Sequence, residues 1–338
     1  MKDWRKRENF LKIIRREGIG FVPSVVSMHP RIWDNNIDYF EKIKEDCPDV
    51  EIHISRNPER EKENYKKDNW GCLWHYPGDY LDGQVVKHPL ENWDFFDFYV
   101  PPDPLAYKNW EKEKERIERE KEEGYISGAG VEHGFFYLRL TYLRGFNNLM
   151  IDIGLKEPRL KKLIKILTEY WKVVIKKLVE FEPDIIYFGD DLGHQNSLPV
   201  SPQTWLELIK PSYKEIFSIA RKKKIEVYLH TDGYIVDIIP DLIEAGVTIL
   251  NPQDIVNGID NLERLAKGKV AIDLDIDRQK ITVFGTPDEI DKHIKKSIEK
   301  LGSRAGGLLL KYGIYPGTPV ENIGQVIKSM QKYCKMWF

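Results

Sequence analysis

The feature that most constrains this chain is a rhythm. Short apolar runs each stop at a polar or titratable residue, and stretches of helical periodicity separate them. The runs lie at 20–26, 50–54, 125–130, 185–189, 225–230, 247–250, 270–272 and 307–311. Apolar runs of strand length alternating with helices are the pattern of parallel βαβ units. At 338 residues the chain is long enough to bury a barrel-sized core. About eight such units in this length fit an α/β (β/α)8 TIM barrel better than an open doubly wound sheet. No Gly-x-Gly-x-x-Gly stands at a strand-helix junction and no Gly-Lys-Ser/Thr phosphate loop occurs, which counts against nucleotide-binding folds.

One segment breaks the rhythm. Residues 55–124 are too long for an ordinary connection and carry the Trp-rich pieces around Trp70, Trp74 and Trp93, a Pro-rich turn at 100–104, and a strongly charged helix from about 105 to 123. The expectation is a single barrel domain over 1–338, with 55–124 inserted across its mouth. Two readings of the tryptophans stand: they cover a ligand, or they form a small satellite core. The charged helix is expected to be a solvated face, with a protein contact as the lesser reading.

Composition excludes several classes. Lys plus Arg (52) nearly balance Asp plus Glu (54), for a net charge of −2, so nothing points to nucleic acid or an anionic membrane. No run approaches the ~20 apolar residues that cross a bilayer, and the opening Met-Lys-Asp-Trp-Arg-Lys-Arg-Glu lacks the apolar centre of a signal peptide. Cys47, Cys72 and Cys334 are far apart, as expected of a reducing compartment and not of a cysteine zinc cluster. A cytoplasmic location is expected.

The run Ile225 to Gly233 concentrates the chemistry. It ends in His230-Thr231-Asp232-Gly233, and residues i and i+2 of an extended tip point the same way. His230 and Asp232 then face one space at the carboxyl end of a strand, where barrels keep their active sites. The bland alternative is a turn in which Asp232 caps a helix and His230 bonds to backbone. Residues just past the other strands are His29, Asp190, Asp191, His194, Gln195, Asn251, Gln253, Asp273, Asp275, Tyr312 and Tyr315. So many polar tips argue for a pocket. Neighbours Asp190 and Asp191 point oppositely, so one faces the pocket and the other caps a turn. His230 suits an acid, a base or a metal ligand. With Asp232 it supplies two ligands, and a zinc site needs a third.

Several motifs carry a resemblance. Gly189-Asp190-Asp191-Leu192-Gly193-His194-Gln195 followed by Ser201-Pro202, His230-Thr231-Asp232-Gly233, Ile239 to Val247, Leu250-Asn251-Pro252-Gln253, Gly285-Thr286-Pro287-Asp288-Glu289 and Tyr315 to Asn322 resemble the uroporphyrinogen decarboxylase superfamily, from about Gly124 onward. The resemblance implies a (β/α)8 barrel and two activities: cofactor-free decarboxylation of uroporphyrinogen, or methyl transfer involving a corrinoid (cobalamin) protein, usually with zinc. Two departures bear on the choice. The Arg-Gln-Ala-Gly-Arg-Tyr segment of true decarboxylases is missing, and only Arg139 and Arg144 offer candidate grips on a substrate with many carboxylates. The methyltransferases' His-x-Cys reads His230-Thr231-Asp232 here, and their later Cys falls near Tyr312.

The resulting expectation is a methyltransferase-like enzyme with an altered metal centre. His230, Asp232, Asp190 and Tyr312 are the catalytic candidates. Asp191, His194, Gln195, Asn251, Gln253, Asp273, Trp70 and Trp74 are expected to bind a small-molecule substrate. A divalent, zinc-like metal is assigned to His230 and Asp232, and cobalamin to a partner protein. The alternatives are a cofactor-free decarboxylase and a barrel that binds without turnover.

Overall fold

The structure, a computed structural model, describes residues 3–54 and 56–338. Eight strands form one sheet: β1 (Ser24–Met28), β2 (Val50–Ile54), β3 (Gly128–His133), β4 (Ile185–Gly189), β5 (Glu226–Thr231), β6 (Ile249–Pro252), β7 (Ala271–Asp275) and β8 (Leu308–Ile314). All neighbours are parallel, in the order β2-β1-β8-β7-β6-β5-β4-β3. That is the cyclic order of a TIM barrel with its connecting helices outside, as the strand-helix rhythm implies. The curl has a seam: among the described residues no ladder joins β2 to β3.

The inserted segment explains how the seam is tolerated. An unpaired strand edge leaves N–H and C=O groups without partners. Along β3, side chains near and on the Trp110–Glu122 helix take them. Lys108 Nζ donates to the Gly130 carbonyl at 2.8 Å, and Arg116 donates to that of Gly128. The Gly128 N–H donates to Glu120 Oε2 at 3.2 Å, and the Glu132 N–H to the Tyr107 hydroxyl at 2.6 Å. The charged helix is therefore not merely a solvated face. It stands where a neighbouring strand would.

The rest of the insertion packs on the barrel. Three short antiparallel strands, Asn64–Lys67, Leu73–Tyr76 and Gln84–Lys87, lead into a chain whose Trp70, Cys72, Leu90 and Trp93 join the main core. At the opposite end the Arg7–Arg15 helix plugs the barrel. Its Leu11 and Ile14 meet an inner layer of Ile185, Tyr228, Ile249, Ala271 and Leu309. Arg7 and Arg15 pin it to Asp184 and Glu226. No helix is long and apolar enough to cross a membrane among the described residues.

Several strands end further along than the apolar runs suggest, among them β1 at Met28, β3 at His133, β7 at Asp275 and β8 at Ile314. The case of β3 has a clear cause. Gly128-Ala129-Gly130 reads as a turn but is extended and pairs with Ile185-Ile186-Tyr187 of β4; the glycine makes room for the Tyr187 ring, which a Cβ at Gly128 would meet at 2.5 Å.

Candidate active site

Alternation along the strands decides which side chains look inward. Tyr228, His230 and Asp232 do so along β5, Tyr187 and Asp191 along β4, Asp273 and Asp275 along β7, and Leu309, Lys311 and Gly313 along β8. At the carboxyl rim Asp191, His230, Asp232, Asp275, Lys311 and Gly313 surround a cavity of about 670 Å3.

His230 is held in one tautomer. The Asn251 amide nitrogen donates to the Asp273 carbonyl, which can only accept, so Asn251 Oδ1 must face the histidine. It lies 2.7 Å from His230 Nδ1, which therefore carries the proton. The Nε2 lone pair is left aimed into the cavity, 3.9 Å from Asp191 Oδ1 and 3.6 Å from Asp232 Oδ1. Burial lowers the His230 pKa against the opposing pull of Asp232 and Asp191, so the ring stays neutral.

Asp191 bridges two elements. Its Oδ2 accepts from His133 Nε2 at 3.1 Å and its Oδ1 from the Asp232 N–H at 3.1 Å. Burial works to raise this carboxyl, but the His133 hydrogen bond and charge hold it below the usual range. His133 is raised in turn, its burial outweighed by Asp191.

On the other side Asp232 is clamped by Arg278, whose Nη2 donates to both carboxylate oxygens at 2.9 and 3.0 Å. Arg278 Nη1 also lies 3.2 Å from Asp275 Oδ2. Asp275 Oδ1 is buried without a partner. Burial pushes Asp275 up to about 7, with the charge of Asp232 adding and that of Arg278 opposing.

The remaining arginines of the wall are also paired from within. Arg139 binds Asp68 and Glu132, each at 2.8 Å, and Arg60 binds Asp82. Among the described residues only Lys311, of the fixed cations lining the cavity, forms no salt bridge; its Nζ is 5.8 Å from the Tyr228 ring centroid. Trp74 lines the wall with its Nε1 donating to Asp68 at 2.9 Å.

Other expected site residues stand elsewhere. Asp190, fully buried, turns outward and accepts from the N–H groups of Tyr137 and Leu138 and from the Tyr213 hydroxyl. It caps the Tyr137–Arg144 helix, and burial pushes it up to about 6. Of the Asp190-Asp191 pair it is thus Asp191, and not the expected catalytic candidate Asp190, that lines the cavity. Tyr312 also points away: β8 continues to Ile314, which turns Lys311 and Gly313 inward and sends Tyr312 into the core behind the sheet, its hydroxyl unpartnered.

His194 and Gln195 lie on the exposed loop after β4, off the cavity wall, with His194 against Phe146 at 5.7 Å. Gln253 accepts from the Gly233 N–H and braces a loop. Asp273 sits one layer below the rim, bonded by the Tyr228 hydroxyl at 2.7 Å and raised by burial. Trp70 is packing, tied to Glu132. Arg144 pairs with Asp152 beneath Trp93, outside the cavity.

Among the described residues two groups of donors could hold a metal: His133, Asp191 and His230, or His230, Asp232 and Asp275, with ligand atoms within 4.8 Å of one another in each. In the second group Arg278 already occupies both carboxylates. The first offers two imidazoles and a carboxylate, a donor set suited to zinc and its first-row neighbours. The free Nε2 of a neutral His230 fits that role. No cysteine lines the cavity; Cys47, Cys72 and Cys334 are buried and unpaired.

A sequence model for uroporphyrinogen decarboxylase (URO-D) matches residues 134–333, more than half of the chain. The chain belongs to the uroporphyrinogen decarboxylase family. Members of this family are enzymes, decarboxylases and methyltransferases among them. Curated uroporphyrinogen decarboxylases of Prochlorococcus marinus strains NATL2A and NATL1A are each 30% identical over 125 residues, 36% of this chain and 34% of the relative. The match thus spans about a third of the length of those relatives. A methyltransferase from Methanosarcina mazei superposes with a TM-score of 0.57 at 19% identity, over 78% of this chain and 76% of that one, which shows a common fold.

Proposed function

We propose that this member of the family is a methyltransferase-type enzyme acting on a small polar or cationic substrate, with a divalent metal at His133, Asp191 and His230 and a corrinoid protein as methyl partner. The carrying observation is the charge inside the cavity. Six carboxylates (Asp68, Asp82, Glu132, Asp191, Asp232, Asp275) face four fixed cations (Arg60, Arg139, Arg278, Lys311), and every arginine is already matched by an acid of the chain. A porphyrinogen with many carboxylates needs arginines free to grip it.

The residues divide the work. Asn251 fixes the His230 tautomer, and His133 and Asp191 present their donor atoms beside it. An ion bound there supplies a Lewis acid that lowers the pKa of a coordinated thiol or similar acceptor group. Arg278 holds Asp232 by both carboxylate oxygens, so that acid is engaged by the chain itself. Asp275, titrating near neutrality, is placed to take the acceptor's proton. Trp74 and Tyr142 offer aromatic walls to a methylated cation.

A second reading, cofactor-free decarboxylation, is favoured by the curated relatives and by Lys311 as anchor for one carboxylate. Incubation with methylcobalamin and a panel of thiol and amine acceptors separates the two. The proposal expects demethylation that requires Asp191 and His230. Conversion of uroporphyrinogen without any demethylation would overturn it.

A further inference from the structure

A TIM barrel normally fills its interior with stacked layers of side chains. This one does not. Inward positions at Gly128 and Gly130 carry no side chain, and a second cavity of about 330 Å3 lies between the catalytic pocket and the helix that plugs the amino end. Phe10, Val25, Ile126, Ile185, Ile249 and Leu309 wall it with apolar surface. Tyr187, in the middle of a central strand, keeps 36% of its surface exposed because it borders this space. Its ring and that of Tyr228 stand 5.0 Å apart and form one aromatic side. Glu51 and His53 of β2 also line the chamber, so it abuts the open seam between β2 and β3.

Glu51 and His53 pair at 3.1 Å. Asp273 also borders the chamber without a salt bridge; it accepts from the Tyr228 hydroxyl, and burial raises it against the pull of Lys311. Lys311 lines both cavities and, among the described residues, has no salt bridge. An ammonium with no salt bridge at the roof of a largely apolar, aromatic chamber, beside an acid already engaged by Tyr228, favours one kind of guest.

We infer that the chamber is a second ligand site, for a small apolar or aromatic molecule with one carboxylate, its acid group at Lys311 and its body against Tyr187 and Tyr228. The site does not use His133, Asp191 or His230 and does not rest on the methyl-transfer reading, but it shares Lys311 with the upper pocket.

Calorimetric titration of the full chain with 4-ethylbenzoate and with its neutral partner 4-ethylbenzamide tests the inference. The acid should bind roughly tenfold more tightly than the amide, because only the acid brings a negative charge to the Lys311 ammonium. Lys311→Met should erase that preference by weakening the acid alone. Ile126→Trp, which fills the chamber, should abolish binding of both. Equal binding of acid and amide to the unmodified protein would overturn the inference and depends on no variant folding. So would the absence of binding, or acid binding that survives both substitutions unchanged.

Discussion

Replacing Asn251 with Leu tests the tautomer on which the site is built. Asn251 is fully buried and joins the His230 Nδ1–H to the Asp273 carbonyl. Leucine keeps the volume and removes both hydrogen bonds. The carbonyl becomes a buried acceptor without a partner, and the imidazole is free to rotate or to move its proton to Nε2. An unsatisfied buried polar group costs about 1–3 kcal/mol, and the half-buried histidine can recover part of its share from water, so the fold should lose about 2–3 kcal/mol. Removing the partner that orients a metal-binding histidine typically costs about 10–100-fold in metal affinity. Urea unfolding gives the first quantity, and competition for zinc against a chromophoric chelator gives the second. A variant that keeps its stability and binds zinc within about twofold of the original would refute the assignment of Nε2 as the inward donor.

The Asp190-Asp191 pair gives a contrast: Asp190→Asn should cost about 1–3 kcal/mol in unfolding experiments, since its amide faces N–H donors, yet leave the turnover of folded protein intact. Asp191→Asn should remove turnover with a stability change under about 1 kcal/mol. Tyr312→Phe deletes a buried hydroxyl with no partner, so stability should hold or rise slightly and turnover should not change; a large fall in turnover would restore Tyr312 to the site. Asp275 is raised from 3.8 to about 7 in the fold, so its contribution to stability is present below about pH 4 and is lost as pH rises through about 7. Asp275→Asn should flatten that fall in a series of thermal melts, and an unaltered pH profile would count against the shift.

The barrel was legible because strand-helix alternation is a local signal and each unit repeats it. His230 and Asp232 were legible because their spacing fits a strand tip whatever surrounds it. The phase of the central strands was not. Ile185-Ile186-Tyr187-Phe188 and Leu308-Leu309-Leu310 are apolar on both faces, so the sequence does not say which residues look inward. That uncertainty exchanged Asp190 with Asp191 and put Tyr312 where Lys311 belongs. His133 was hidden by two glycines that read as a turn, although the strand-end rule finds it once β3 is given its full length. Arg278 lies three residues beyond β7, and its role depends on the loop that follows, where Asp277 accepts from the N–H groups of Lys280 and Ile281. The cover over the β3 edge is a tertiary fact: Arg116 and Glu120 look like any solvated helix face until the strand beside them lacks a neighbour.

The most direct test of the account is metal content measured by elemental analysis on protein loaded with zinc and then freed of excess ion. His133, Asp191 and His230 as the ligand set predict stoichiometric metal in the unmodified chain and in Asp232→Asn, and its loss in His133→Ala, Asp191→Asn and His230→Ala. Retention of metal in Asp191→Asn together with its loss in Asp232→Asn would place the centre on the Arg278 side and contradict the account.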